Sequence, residues 1–176
     1  MISVLIETRN ADEGLARTLA ALVGGVVEGV IRDVVVVDHG SVDHTHQVAD
    51  AAGAMFLQDQ SLLDGVRKAR GEWLLLLEPG AKLLDGWIDP VVQHIDNLPG
   101  PARFSRNPVH RQPFLARIFG KTAPLADGLL ISKRQALALL KSAKTADDLA
   151  RGLAARRLKA EIIPAPKTDP RTREPR

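Results

Sequence analysis

The chain has 176 residues, of which 45% are hydrophobic and 26% charged, as expected for one globular domain. It contains no cysteine, which excludes disulfides and thiolate metal sites, and no apolar run approaches the ~18 residues that span a bilayer. The net charge of +3 is mild and aromatic residues make up only 3%, which disfavours base stacking, so no nucleic-acid partner is expected. Residues 1–8 lack the basic start of a signal peptide, so we expect a cytoplasmic protein, with peripheral membrane attachment as the alternative.

Apolar runs and helical periodicity alternate through the first half of the chain. The predicted strands cover residues 2–6, 34–37, 54–57 and 73–77. Apolar residues at helical spacing predict a first helix that Gly24 and Gly25 end, and further helices over 43–52 and 62–70. Strands that alternate with helices usually pair in parallel through right-handed crossovers. We therefore expect an α/β fold with three layers and a mostly parallel sheet.

The patterns are weaker in the second half of the chain. Helices are predicted over 87–98, 133–142 and 146–157, and strands over 128–131 and 160–163. The stretch Arg103–Lys121 contains five cations and no acid. It is suited to contact an anionic membrane surface or a lipid-linked acceptor, and the alternative is an ordinary solvated loop.

Four consecutive valines, residues 34–37, are too few for a typical helix and predict a strand buried on both faces. Asp38 ends this run, and Gly40 and Ser41 follow as turn and helix-capping residues. Ligands of open α/β sheets bind just beyond the carboxyl ends of the strands. We therefore expect Asp38 to accept hydrogen bonds from a base or a ribose.

Three motifs in succession resemble a known family. They are Ile-Ser-Val-Leu-Ile-x-Thr-x-Asn, Val-Val-Val-Asp-x-Gly-Ser-x-Asp and Ala-x-Gly-Glu-Trp-Leu-Leu-Leu-Leu. The order resembles the nucleotide-binding half of the large inverting GT-A glycosyltransferase family, which includes cellulose, chitin and dolichyl-phosphate-sugar synthases. The resemblance covers residues 2–90 and, more weakly, 124–163. It implies that a sugar is moved from a nucleotide-sugar donor to an unknown acceptor.

The resemblance also implies the organisation of the chain and the residues that hold the nucleotide. It predicts one GT-A-like domain over residues 1–163, with a nucleotide-binding half at 1–98, an acceptor half at 99–163 and a flexible tail at 164–176. The residues that match the nucleotide-binding positions of the family are Thr8, Asp38, Gly40 and Ser41.

Several positions near these matches depart from the family pattern. Glu7 stands where the family usually has proline, and His39 stands where it usually has a second acid. Leu62 and Leu63 replace an Arg-Asn pair that faces the nucleotide in many members.

The largest departure lies at residues 78–80, where the family has Asp-x-Asp. A nucleoside diphosphate leaves more easily when a divalent cation, held by carboxylates and phosphates, neutralises its developing charge. Here Glu78 is the one acid that remains, and Gly80 supplies no carboxylate. Three alternatives follow: Glu78 and the phosphates hold Mg²⁺ or Mn²⁺ weakly, cations from Arg103–Lys121 replace the metal, or the step is not catalysed.

Inverting transfer also needs a general base that takes the proton of the acceptor hydroxyl. The family places an acid before a late helix, and the corresponding stretch here is 145–149. One alignment puts the base position on Ala146, which leaves it empty, and an alignment shifted by one residue puts it on Asp147. The alternative for Asp147 and Asp148 is helix capping.

Two further functions compete with glycosyl transfer. The losses at Gly80 and at 62–63, joined by Ala146 in the first of the two alignments, favour a catalytically inactive nucleotide-binding or scaffold relative of the same fold. A sugar-nucleotide nucleotidyltransferase ranks last, because the loop at residues 7–10 lacks the glycines of such enzymes. The chain is short for the family, so a homo-oligomer, a partner protein or a membrane is expected to complete the acceptor side.

Overall fold

A computed structural model describes residues 1–97, 100–107 and 123–166. Within these ranges, eight strands form one sheet in the order β3-β2-β1-β4-β7-β6-β8-β5. The strands are β1 Ile2–Thr8, β2 Ile31–Asp38, β3 Met55–Gln58, β4 Trp73–Leu77, β5 Lys82–Leu83, β6 Ala102–Arg106, β7 Leu129–Ser132 and β8 Arg156–Ile163.

Six helices in the described ranges cover the two faces of this sheet. They are α1 Asp12–Val27, α2 Thr45–Ala51, α3 Leu62–Lys68, α4 Ile88–Asn97, α5 Lys133–Leu139 and α6 Ala146–Ala150. Successive side chains of a strand point to opposite faces, so each central strand contributes side chains to two hydrophobic cores. One core packs under α1, α2 and α4, and the other under α3, α5 and α6. The predicted three-layer α/β fold is confirmed.

The strands at one end of the sheet are all parallel. β1 lies between β2 and β4, and β3 pairs with β2. The register puts Thr8 opposite Asp38 and Ile6 opposite Leu77, so the carboxyl ends of β1, β2 and β4 meet at one edge. Beyond β4 the sheet becomes mixed, because β7 runs antiparallel to both β4 and β6.

Two differences between the predicted and observed helix boundaries have a clear structural reason. Helix α1 does not end at Gly24 and Gly25 but continues to Val27. Gly25 is buried, and a Cβ there would come within 2.7 Å of the Trp87 ring, so this glycine serves close packing and not termination.

The predicted helix over 146–157 is also wrong beyond its first turn. Helix α6 ends at Ala150, because Arg151 is already extended and Gly152 adopts a φ of +72°. Strand β8 then begins at Arg156 and buries every second residue, namely Leu158, Ala160 and Ile162.

Most of the basic stretch, residues 108–121, and the tail from residue 167 lie outside the described residues. Among the described helices, none is both long and apolar enough to cross a membrane.

Candidate functional site

A cleft of about 850 Å³ opens at the edge where β1, β2 and β4 end. Its walls are the loop from β1 into α1, the turn after β2, the turn after β4 and the start of α6. Three of the residues predicted from the sequence line it, namely Thr8, Glu78 and Asp147. Asp38, Gly40 and Ser41 do not form part of the lining.

Asp38 lies just behind the cleft wall and is 1% exposed. Its carboxylate accepts a hydrogen bond from the Thr8 hydroxyl at 3.0 Å and one from the Ser41 N–H at 2.8 Å, and it also accepts one from the Ser41 hydroxyl. Gly40, with a φ of +78°, lets the chain turn back so that Ser41 reaches Asp38. Asp38 therefore fixes the end of β1 to the turn after β2, and its contact with a nucleotide stays a prediction.

The turn after β2 is also bonded to the loop that leaves β1. The Asn10 N–H donates to the Ser41 hydroxyl at 2.8 Å, and the Val42 N–H donates to the Asn10 side-chain oxygen at 2.8 Å. These reciprocal bonds hold two neighbouring loops as one wall of the cleft. Ser41 thus shapes this wall, and its predicted nucleotide contact is untested.

Glu78 follows β4 and is partly buried in the opposite wall. Burial raises the pKa of the Glu78 carboxyl, and the negative charge of Asp147 raises it further. Arg106 opposes this rise in pKa, and Asp127 adds to it. The negative charges of Glu78 and Asp147, which both line the cleft, therefore repel each other.

Residue 80 is the position of the missing second acid, and residues 165 and 166 lie close to it. Gly80 has a φ of +100°, and its N–H donates to the Thr18 hydroxyl at 2.9 Å. A Cβ at Gly80 would lie 3.2 Å from Pro166 and 3.3 Å from Ala165. An aspartate here would be both strained and crowded.

The donor set for a divalent cation is consequently incomplete. No group of three or more His, Cys, Asp or Glu side chains in the described ranges could hold a metal ion. Glu78 and Asp147 offer one carboxylate each, whereas Mg²⁺ and Mn²⁺ sites need near-octahedral oxygen ligands. The residues present therefore fit a bound divalent cation poorly.

The structure separates the roles of the two aspartates at the start of α6. Asp148 closes a capping box with Thr145, whose hydroxyl accepts from the Asp148 N–H at 3.1 Å. Asp147 lines the cleft instead, and one of its oxygens accepts from the Leu125 N–H at 3.1 Å. Helix capping thus accounts for Asp148 and leaves Asp147 facing the cleft.

The two described arginines of the basic stretch are already engaged. Arg103 donates to the carbonyl oxygens of Pro124, at 2.7 Å, and Ala150. Arg106 forms an ion pair with the buried Asp127. Neither side chain lines the cleft, and the arginines that do so among the described residues are Arg9 and Arg17.

Sequence reasoning missed a contact among residues that line the cleft. One oxygen of Glu7 lies 2.9 Å from His39 Nε2, and the other accepts from the Ala146 N–H at 2.6 Å. The available signal was that Glu7 and His39 both depart from the family pattern at the ends of neighbouring strands. Two replacements on adjacent strand ends are candidates for a mutual contact.

Solved structures with the same arrangement of strands and helices include glucosyl-3-phosphoglycerate synthase from Mycobacterium tuberculosis in complex with Mn²⁺, UDP and glucosyl-3-phosphoglycerate. That structure is 16% identical, with a TM-score of 0.55 and a match over 76% of this chain and 57% of the other. S. aureus TarS is 19% identical, with a TM-score of 0.63 over 89% of this chain and 57% of the other. Both are GT-A-like glycosyltransferases.

The chain has a GT-A fold. At these identities the likeness establishes the fold alone. This GT-A chain spans 57% of the length of both structures. No protein-family model matches the sequence, and no protein of curated function matches it either.

Proposed function

We propose that this protein is a glycosyltransferase that uses a nucleotide-sugar donor, with a UDP-sugar as the first candidate. The observation that carries the proposal is the cleft at the ends of β1, β2 and β4, which Glu78 and Asp147 line. Ligands of open α/β sheets bind at this edge. The mycobacterial neighbour has been crystallised with UDP and with UDP-glucose, which supports this donor class.

In this proposal the nucleoside lies at the β1 and β2 side of the cleft. Thr8 lines that side, and Asp38 fixes the Thr8 hydroxyl from behind. Gly40 and Ser41 hold the turn that forms the wall. Arg9 and Arg17 line the cleft as cations for the diphosphate, since fixed positive charge stabilises a leaving phosphate.

Asp147 is the proposed general base for the acceptor hydroxyl. The Leu125 N–H fixes one of its oxygens, and the other has no hydrogen bond to a described residue. That second oxygen is available to take the proton as the hydroxyl attacks the sugar. Some neighbour structures contain Mn²⁺ or Mg²⁺ with UDP, but the incomplete donor set around Glu78 leads us to expect weak or no metal dependence.

The test is a donor-hydrolysis and binding screen across UDP- and GDP-sugars, with and without Mn²⁺. We expect Asp147→Asn to lower turnover by ~10²–10⁴-fold with little change in donor affinity, the usual cost of losing a general base. Asp148→Asn is the matched control, because Asp148 is the adjacent acid and caps the helix. Equal losses in both variants would contradict the assignment of Asp147.

A catalytically inactive nucleotide-binding relative is the second candidate. The observation that favours it is the crowding at Gly80, where Ala165 and Pro166 leave little room for the side chain of a metal-binding aspartate. Calorimetry together with the hydrolysis screen separates the two candidates: donor binding without turnover by the wild type supports the inactive relative, and turnover excludes it.

A further inference from the structure

Two positions that depart from the family pattern, Glu7 and His39, meet Ala146 at one point in the structure. Glu7 lies near the end of β1, His39 follows β2 and Ala146 begins α6, so they come from distant parts of the chain. His39 Nε2 lies 2.9 Å from one Glu7 oxygen, and the Ala146 N–H donates to the other at 2.6 Å. One carboxylate thus joins two walls of the cleft.

The Glu7 carboxylate links His39 to the backbone of Ala146 through hydrogen bonds to both of its oxygens. The Glu7 side chain is only 15% exposed, and both of its oxygens have a donor. Hydrogen bonds to an ionised carboxylate are shorter and stronger than bonds between neutral groups. The His39 ring is 44% exposed and lines the cleft, so the bridge has one end inside the proposed donor site.

The other end of the bridge lies directly beside the proposed base. Ala146 is buried, and Asp147 is the next residue along the chain. The Leu125 N–H holds one oxygen of Asp147, but the backbone of α6 at this point is tied to the sheet through Glu7. The Ala146 N–H is one of the donors at the start of α6 that have no partner within the helix, and Glu7 is its acceptor.

We propose that Glu7 is a positioning residue that holds the Ala146–Asp147 segment against the sheet and that His39 steadies Glu7. This inference rests on the proposed function for its catalytic consequence, whereas the bridge itself is testable without any substrate. The proposed function places the nucleoside at the β1 and β2 side of the cleft, where His39 lies, so Glu7 would couple donor binding to the position of Asp147.

The first test is hydrogen exchange of the unliganded protein, followed by mass spectrometry over residues 143–150. We expect Glu7→Ala to speed exchange in this segment about tenfold, the effect of losing one hydrogen bond. Glu72→Ala is the matched control, because Glu72 is exposed and precedes β4 at the opposite edge of the sheet. Equal exchange in a folded Glu7→Ala variant and in the wild type overturns the proposal.

The second test uses conservative variants. In Glu7→Gln the amide oxygen still accepts from Ala146, whereas the amide nitrogen replaces the oxygen that lies 2.9 Å from His39 Nε2. We therefore expect exchange over residues 143–150 in Glu7→Gln to lie between that of the wild type and that of Glu7→Ala. We expect His39→Gln, whose amide N–H still donates to Glu7, to resemble the wild type.

Other charged groups line the same cleft, namely Arg9, Asp12, Glu13, Arg17, Asp43, Glu78 and Asp147. Because these groups are present in every variant, the difference between Glu7→Gln and His39→Gln isolates the bridge. Exchange in Glu7→Gln that equals exchange in the wild type overturns the role of His39.

Turnover gives the third measurement. We expect Glu7→Ala to lower kcat about 10- to 100-fold with a smaller change in KM, since displacement of a catalytic group by about 1 Å has effects of this size. If the wild type shows no turnover with any donor, the proposed function fails while the exchange tests still decide whether the bridge exists. Equal losses in kcat and in donor affinity would assign Glu7 to binding and overturn its positioning role.

Discussion

Asp38 acts as an internal acceptor at the end of β2. It is 1% exposed and receives hydrogen bonds from the side chain of Thr8 and from both the backbone and the side chain of Ser41. Removing a buried acceptor leaves its donors unsatisfied, which costs more than the net value of the bonds. The influence of Asp38 on the cleft therefore runs through Thr8, the partner that lines it.

We expect Asp38→Ala to lower the free energy of unfolding by ~2–4 kcal/mol, because it leaves buried donors without an acceptor. Urea denaturation followed by circular dichroism measures this loss. Asp50→Ala, on the exposed face of α2, is the control and should stay within ~0.5 kcal/mol of the wild type. A stable Asp38→Ala protein that fails to bind the donor would restore the direct nucleotide contact predicted from the sequence.

The sequence could predict where Asp38 lies but not what it touches. Four valines followed by an acid and a glycine define the strand and its end, because β-branched runs and turn residues act locally. The Thr8 contact depends on the β1–β2 register, and the Glu7–Ala146 contact joins residues 139 positions apart. Local patterns carry no information on such pairs.

Helix α1 contains two successive glycines in different surroundings. A Cβ at Gly24 would have no atom within 4 Å, whereas a Cβ at Gly25 would lie 2.7 Å from Trp87 and 2.9 Å from Ile31. Glycine in a helix interior costs ~1 kcal/mol relative to alanine. Gly25 is nonetheless needed, because α1 packs there against Ile31 of β2 and against Trp87, which precedes α4, and leaves no room for a Cβ.

We expect Gly24→Ala to raise the free energy of unfolding by ~0.5–1 kcal/mol and Gly25→Ala to lower it by ~1–3 kcal/mol. The two variants make the same chemical change at adjacent positions and control for each other. Thermal and urea unfolding measure both values. Stabilisation by both substitutions would mean that Trp87 moves aside without cost.

The strands and helices of the first half were predictable because each is either an unbroken apolar run or a series of apolar residues at helical spacing. The four parallel strands, β1 to β4, were all expected from apolar runs between helices. After α6 the predicted strand over 160–163 is part of β8, but the predicted helix over 151–157 is wrong, since its charged residues are compatible with either structure. Strand β8 extends back to Arg156 because pairing with β6 buries Leu158 and Ile162.

Charged side chains from several elements of the fold act on the carboxyl groups in the cleft. The pKa of Glu78, beside β4, is raised first by burial and then by Asp147 of α6, while Arg106 of β6 lowers it. A carboxyl whose pKa is raised on folding favours the protonated native state. Glu78 therefore costs stability once it ionises, a cost that fits a functional site better than a structural one.

We expect Glu78→Gln to unfold at a higher temperature than the wild type at neutral pH, because glutamine removes the cost of ionisation. Below the ordinary carboxyl pKa of 4.5 the difference should disappear, since Glu78 is then protonated in both the folded and the unfolded states. Calorimetry across this pH range measures the effect.

Asp148→Asn provides a control of opposite sign. Hydrogen bonds to Lys144 and Thr145 lower the pKa of the Asp148 carboxyl, so its contribution to stability is present above the ordinary carboxyl range and is lost as the pH falls. We expect this variant to be less stable than the wild type at neutral pH and to approach it in acid. Identical pH dependence in both variants would contradict the burial of Glu78.

The chain path near residue 166 has a practical consequence for anyone who handles this protein. Pro166 borders the cleft, whereas Met1 precedes β1 at the far edge of the sheet. A fluorescent label attached at residue 166 would therefore stand beside the cleft and report on donor binding. The same label on Met1 would stand at the far edge of the sheet and serve as the reference.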